Sequence, residues 1–172
     1  MSRFLSFCLT MFGTIGFISS VFAQPAKTDA QSFLEKAAEG QQIEISLGQL
    51  AAQRAVNKRV KDLGQQLVEN HKKGSEQVEQ LAMKEGVQLS PGVNEERKQK
   101  VNKISELSGH PFDRAYIDYI LEDHETTVDE FLRHVKTTQN LDIKQWIAST
   151  LPDLQINREN ARQVKNSLQT NP

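Results

Sequence analysis

The chain has 172 residues, of which 37% are hydrophobic and 25% charged, and its formal net charge at pH 7 is −1. This balance excludes a disordered tail, a collagen-like repeat and a polytopic membrane protein. It also leaves no basic footprint for nucleic acid, so we expect no nucleic-acid partner.

The first 23 residues have the composition of an export signal. Arg3 is followed by an apolar stretch without acidic residues, and Val21-Phe22-Ala23 has short side chains at the positions that signal peptidase reads. The sequence therefore predicts cleavage near Ala23 and a periplasmic or otherwise exported chain. The alternative is a retained anchor, because the apolar run approaches the length of a spanning helix. Membrane contact would then occur only through this uncleaved segment.

The remaining sequence divides into a polar leader over residues 24–31, a helical domain over residues 32–168 and a tail over residues 169–172. Thr28-Asp29 offers a helix N-cap. A first helix is predicted from about Asp29 to Ala55, and a second from about Lys58 to Glu85, which Gly86 is placed to end. Each has an apolar stripe with the spacing of one helical face. Glu44 falls on the first stripe, among Phe33, Ala37, Gly40, Leu47 and Ala51, and His71 on the second, among Val60, Leu63, Leu67, Val78 and Leu81.

Three further helices are predicted in the second half of the chain. A short polar helix is expected from about Asn94 to Ser108, a fourth helix from about Asp113 to Thr138, and a fifth from near Asp142 to Leu168. Gly109-His110-Pro111 is expected to break the chain between the third and fourth. His124 lies on the inward stripe of the fourth helix. Pro152 is expected to kink the fifth helix or to split it in two.

Four long amphipathic helices with short connections predict an all-α protein, an antiparallel four-helix bundle with an additional short helix and a kinked C-terminal helix. Four glycines inside the long helices would let neighbouring helices approach closely: Gly40, Gly48, Gly64 and Gly74. The closely mixed charges of residues 94–103 are typical of a solvated face. No dinucleotide, P-loop or serine-elbow pattern is present in the sequence, so no catalytic residue is assigned.

Several short motifs resemble the bacterial family known as domain of unknown function 4142. They are Leu47-Gly48-x-Leu50-Ala51, Val68-x-x-His71, Phe112-Asp113-x-x-Tyr116, Asp123-His124 and Leu151-Pro152-x-Leu154. The resemblance covers about Ser32 to Leu168. It implies a ferritin-like helical bundle in an exported protein, with relatives often labelled periplasmic or outer-membrane proteins, and it implies no established reaction. This chain departs from the family pattern at Asn70 and Asn157, where relatives commonly have Asp and His.

His71 and His124 occupy inward positions, where an apolar side chain would be the default. With Glu44 from the first helix and Asn157 from the last, they would converge on one layer of the core. Two imidazoles and a carboxylate would suit Zn, Cu or Fe. The alternative is a metal-free core, in which the histidines are hydrogen-bonded to Glu44, Asn157 or a backbone carbonyl.

Other metal chemistries fit the sequence less well. A ferritin-like di-iron centre needs a Glu three residues before each ligating His, and Val68 and Leu121 stand at those positions. After export Met83 would be the last remaining methionine, and Cys8, the single cysteine, would be gone. Thioether and thiolate sites are thereby excluded in the exported chain. The acids placed to orient an imidazole are Asp123 and Glu69.

These features are compatible with a periplasmic module whose polar core layer holds a metal or small ligand, linked to envelope stress. The alternative is a structural or protein-interaction bundle with metal-free core histidines, which binds an envelope partner or a second copy of itself. An enzymatic activity would rest on fold analogy with ferritin-like oxidases alone, and such analogy does not establish a reaction.

Overall fold

A computed structural model describes residues 28–90 and 94–170 of the chain. In these ranges the protein consists of helices and their connections, without strands, and the all-α prediction is confirmed. The helices are α1 (Asp29–Arg54), α2 (Lys58–Lys84), α3 (Glu95–Ser105), α4 (Gly109–Thr137) and α5 (Leu141–Thr170). The predicted signal peptide and the first residues of the leader lie outside the described residues. Among the described helices, none combines the length and apolar character that crossing a membrane requires.

Side-chain caps determine where the first three helices begin. The Thr28 hydroxyl accepts a hydrogen bond from the Gln31 backbone N–H, as predicted for α1. Asn57 caps α2 through the N–H of Arg59, and Asn94 caps α3 through the N–H of Glu96. Each such cap contributes about 1 kcal/mol by satisfying a backbone donor that the helix leaves free. At the other end of α2, Gly86 follows the helix with a φ of 65°, in the expected C-terminal role.

The structure corrects the sequence predictions at three points. Gly109-His110-Pro111 does not break the chain but forms the first turn of α4. A proline is tolerated there because the first-turn N–H groups have no helical acceptor in any case. The third helix is shorter than predicted, since the N–H of Leu107 bonds to the carbonyl of Ile104 in a closing turn. Finally, α5 continues through Pro152 as one helix, so of the two effects predicted for this proline, a kink or a split, the split is wrong.

The four long helices contact one another in a closed ring. α1 packs along α2 and α4 along α5, while α2 also contacts α5 and α1 contacts α4. The short α3 contacts α1 and α4, outside the ring. The short helix therefore lies beside the seam between α1 and α4.

Two hydrophobic clusters fill the interior, and each long helix contributes to both. One contains Leu47 of α1, Leu67 of α2, Ile117 of α4 and Ala161 of α5. The other contains Leu34 of α1, Val78 of α2, Phe131 of α4 and Ile147 of α5. Along α1 and α5 the chain contributes first to the cluster of Leu34 and then to the cluster of Leu47. Along α2 and α4 it contributes to the two clusters in the reverse order.

The closest approach of α1 and α2 is at two of the four predicted glycines. A Cβ added to Gly48 would lie 2.8 Å from the carbonyl oxygen of Gly64, and one added to Gly64 would lie 2.8 Å from the Cβ of Ala51. At Gly40 an added Cβ would meet nothing closer than 3.9 Å, so close packing does not require a glycine there. The prediction is confirmed for Gly48 and Gly64 and wrong for Gly40.

A buried carboxylate joins the α1–α2 connection to α4. Asp113 is 1% exposed, and its two oxygens accept hydrogen bonds from the backbone N–H groups of Val56 and Asn57, at 3.2 and 2.8 Å. Hydrogen bonds to a charged acceptor are stronger than neutral ones. Asp113 therefore fixes the height of α4 relative to α1 and α2, and with it the height of His124.

Candidate metal centre

Glu44, His71 and His124 meet in the interior, between the two hydrophobic clusters. One donor atom from each side chain lies within 4.8 Å of the other two. Glu44 Oε2 is 2.9 Å from His71 Nε2, and Glu44 Oε1 is 3.3 Å from His124 Nδ1. The two imidazole rings are 5.6 Å apart in an edge-to-face arrangement. All three residues are buried, with exposed fractions of 3%, 6% and 0%. We call this set the triad.

Hydrogen bonds from outside the triad orient both imidazoles. His71 Nδ1 lies 2.7 Å from the carboxamide oxygen of Gln41, which can only accept, so Nδ1 donates a proton and, in the neutral ring, Nε2 carries the lone pair. His124 Nδ1 lies 3.0 Å from the carbonyl oxygen of Ile120, so its Nε2 carries the lone pair by the same reasoning. Ordering a ring through its second nitrogen is how proteins prepare a histidine for a metal.

Gly74 makes room for the side chain that holds His71. A Cβ at Gly74 would lie 2.7 Å from Gln41 Nε2 and 2.8 Å from Gln41 Oε1. The Gln41 carboxamide therefore packs directly on the α2 backbone, one turn after His71. Gly74 serves a side-chain contact here rather than a close approach of two backbones.

Three buried donor atoms of the triad lack a hydrogen bond. Among the described residues, Glu44 Oε2, His71 Nε2 and His124 Nε2 have no hydrogen-bond partner. Glu44 Oε2 and His71 Nε2 lie 2.9 Å apart, so protonation of His71 would pair these two atoms with each other. Buried polar atoms without partners are costly and uncommon. Three of them on two imidazoles and a carboxylate are the donor set that Zn²⁺ or a copper ion takes.

The triad is held together electrostatically even without a metal. Burial alone would raise the pKa of Glu44, but the imidazoles of His124 and His71 lower it to about 2. Burial alone would lower the pKa of His71, but the Glu44 carboxylate raises it above its usual value. Glu44 is therefore a carboxylate at neutral pH and supplies the negative charge that a cation would meet.

A cavity of about 350 Å³ leads from the surface to Glu44 and His71. It is bounded by α1, α3 and α4, and Arg97 of α3 reaches into it. The guanidinium contacts Asp123, at 2.5 Å from Nη2 to Oδ1, and Glu39, at 3.8 Å from Nη1 to Oε2. Asp123 in turn interacts with Glu44. A polar path thus connects the exterior to the triad.

The fourth residue predicted for this layer has a different partner. Asn157 is buried, and its carboxamide oxygen accepts a hydrogen bond from Asn70 Nδ2 at 3.1 Å. Of the two acids predicted to orient an imidazole, Asp123 lies beside Glu44, whereas Glu69 forms a surface ion pair with Lys72. The imidazoles are instead oriented by Gln41 and by a backbone carbonyl.

Sequence reasoning missed Gln41 and Arg97. Gln41 lies one turn before Glu44 on the same face of α1, a spacing that could have indicated its role. Arg97 was included in the polar run that we interpreted as a solvated face, and that interpretation is wrong for this residue. It precedes Val101 and Ile104 by four and seven residues, which places it on the inward stripe of α3.

Comparisons with known proteins add a family and a fold. A family model described as "Domain of unknown function (DUF4142)" matches residues 19–164. No curated protein matches the sequence. A solved structure described as "CopM in the Cu(I)-bound form" is similar, with a TM-score of 0.67 and 14% identity, and the match covers 82% of this chain and 98% of that one. At this identity the similarity shows a common fold.

Proposed function

We propose that this chain, which belongs to the DUF4142 family, is a metal-binding helical-bundle protein that holds one transition-metal ion on Glu44, His71 and His124. One observation carries the proposal: the triad presents three buried donor atoms that have no hydrogen-bond partner among the described residues. A bound cation would satisfy all three at once.

The donor set indicates which metals to test. Two neutral imidazoles and one carboxylate suit Zn²⁺, copper and Fe²⁺. Copper is the first candidate, because the similar protein CopM is described in a Cu(I)-bound form. Zn²⁺ is the second, because it accepts nitrogen and oxygen donors without demanding a particular geometry.

The wider setting is part of the same proposal. The four long helices form a ferritin-like antiparallel bundle over residues 32–168, and the chain is exported to the periplasm after cleavage near Ala23. The ring of helix contacts and the reversal of cluster order between neighbours support the bundle. A metal site in the envelope would serve metal or redox stress.

A second function is favoured by a different observation. Glu44 lies within ion-pair distance of both imidazoles, and both Nδ1 atoms have acceptors, so the triad is held in place without a metal. On this alternative the triad only orders the core. The protein would then act through its exposed helix faces, binding an envelope partner or a second copy of itself.

Elemental analysis of the untagged mature protein from its native compartment distinguishes the two functions. We expect close to one metal ion per chain in the parent and less than a tenth of that in the variant His71→Gln/His124→Gln. The matched control is His110→Gln, which removes an exposed imidazole outside the triad and is expected to keep the metal. A parent that is empty and takes up no added copper, Zn²⁺ or Fe²⁺ would contradict metal binding and leave the interaction function.

A further inference from the structure

Arg97 places a positive charge across the path to the triad. It lies on α3, and its guanidinium bridges Asp123 of α4 and Glu39 of α1. All three side chains are largely shielded from solvent. Glu39, Arg97 and Asp123 line the same cavity as Glu44, so a cation that enters this cavity comes close to the bridge.

The cavity is negatively charged apart from three basic side chains. Its lining has six carboxylates, against Lys36, Arg97 and Lys100. Lys36 pairs with Glu130 at 3.6 Å, and Lys100 pairs with Glu122 at 3.5 Å, both near the rim. Arg97 is the basic residue whose partner, Asp123, also interacts with Glu44. Its charge therefore offsets part of the negative charge of Asp123, Glu39 and Glu44 at the inner end of the cavity.

The half of α3 that carries Arg97 contributes no buried side chain to the hydrophobic interior. Ile104 is the single buried residue of this helix, and it lies near the opposite end from Arg97. The N-terminal half is held by polar contacts: the Asn94 N–H donates to Glu39, and Lys100 pairs with Glu122. Exposed ion pairs of this kind contribute little to stability. Arg97 can thus leave its carboxylates without unfolding the hydrophobic interior.

We infer that Asp123 and Glu39 form an outer cation position on the route to the triad, which the Arg97 guanidinium occupies until an entering divalent metal cation displaces it. This inference rests on the proposed function, because the triad is the destination of the cation. Carboxylates are hard oxygen donors that accept either a guanidinium or a metal ion. The interaction of Asp123 with Glu44 connects the outer position to the triad.

The rate of Zn²⁺ uptake tests the inference. Zn²⁺ is mixed rapidly with metal-free protein, and the free ion is followed with a chromogenic chelator. We expect uptake by Arg97→Met to be at least tenfold faster than by the parent, because the side chain keeps its bulk but no longer holds the carboxylates. The conservative variant Arg97→Lys keeps the charge without the bidentate fork and is expected to show an intermediate rate.

The matched control is Arg162→Met. Arg162 also bridges two carboxylates, Glu125 at 2.9 Å and Glu159 at 3.0 Å, but on the outer surface of α4 and α5. Its replacement removes the same charge from the molecule, and we expect its uptake rate to stay within twofold of the parent. Thermal unfolding of each variant confirms that the fold is retained.

A double variant separates a cation position from simple blockage. In Arg97→Met/Asp123→Asn the obstructing charge and the main receiving carboxylate are both absent, and we expect the uptake rate to return to within threefold of the parent. A rate as fast as that of Arg97→Met would show that Asp123 receives no cation and would overturn the outer position.

The outcomes also separate this inference from the proposed function. If the parent binds Zn²⁺ but Arg97→Met takes it up no faster, the outer position is wrong and the triad remains a metal site. If neither chain binds Zn²⁺, copper or Fe²⁺ after overnight dialysis, metal binding itself is wrong and the inference is overturned with it.

Discussion

The Glu44 carboxylate determines the charge of the polar layer. It is 3% exposed and lies within 3.3 Å of both imidazoles, so its charge acts directly on both rings. The opposing effects on the pKa of His71 are burial, which lowers it, and Glu44, which raises it. Folding raises the pKa of His71 overall. Its contribution to the stability of the metal-free protein is therefore present in full below pH 6.5 and is lost as the pH rises through the folded-state pKa.

Replacing Glu44 is expected to reverse the direction of that shift. In Glu44→Gln, burial acts against the imidazolium without the adjacent carboxylate, so the pKa of His71 should fall below 6.5. A pH titration of the His71 ring by NMR on the metal-free protein measures this. Glu69→Gln is the matched control, because Glu69 is an exposed carboxylate two residues from His71 and pairs with Lys72. A pKa that stays above 6.5 in Glu44→Gln would show that Glu44 is not the cause.

At the scale of secondary-structure elements, two glycines determine how closely α1 and α2 pack. Gly48 and Gly64 face each other, and each lies against the backbone of the partner helix. The crossing lies between Glu44 and Ala51 on α1 and between Val60 and His71 on α2. Close packing here keeps Glu44 and His71 in contact, because a wider separation of α1 and α2 would lengthen the 2.9 Å distance between Glu44 Oε2 and His71 Nε2. The Leu-Gly-x-Leu-Ala motif at 47–51 contains one of these glycines.

Alanine substitutions at two glycines of α1 are expected to have opposite effects. Gly48→Ala places a Cβ 2.8 Å from a backbone carbonyl that cannot rotate away, and overpacking of this kind costs about 1–3 kcal/mol. Gly40→Ala meets no such obstacle and should stabilise the protein by roughly 0.5–1 kcal/mol through helix propensity. Urea unfolding of the two variants checks both signs. Equal effects would contradict the assigned crossing.

At the scale of the whole molecule, a polar layer separates two hydrophobic clusters. His71, His124 and Asn157 each lie between the residues that their own helix contributes to one cluster and those that it contributes to the other, and Glu44 lies next to Ile43, where α1 begins to contribute to the second of its clusters. Each of the four long helices thus contributes one residue to the polar layer. A ligand bound there would contact most of the elements that build the core, so its binding energy would be expressed as global stability.

Metal addition is therefore expected to raise the melting temperature. A ligand that binds only the folded state stabilises it by about 2.7 kcal/mol at a concentration of 100 times its Kd. For a domain of this size that corresponds to a Tm increase of roughly 5–10 °C. Calorimetry with and without Zn²⁺ measures it, and His71→Gln/His124→Gln should show no increase. A parent without any increase, under conditions where dialysis shows bound metal, would place the metal on a surface site.

The sequence predicted the helices well and the break before α4 poorly. α1 and α2 end within a residue of their predicted bounds, because caps and three- and four-residue periodicity act over a single turn. The Gly109-His110-Pro111 triplet was misread, because the same residues that interrupt a helix interior are accepted in a first turn. Gly40 was misread for a related reason. The sequence shows that a helical position has no Cβ, but it does not show how close the neighbouring helix comes to that position.

The amino-acid sequence by itself determined that the chain is helical and that Glu44, His71 and His124 point inward, because a residue's position on a helical face depends only on the residues within a few turns of it. The tertiary structure decided that these three meet, and that Asn157 bonds to Asn70 instead. It also brought Arg97 to Asp123 and Glu39, from α4 and α1. Such contacts depend on the relative heights of separate helices, which are set by long-range packing at Gly48 and Gly64 and by the Asp113 tether.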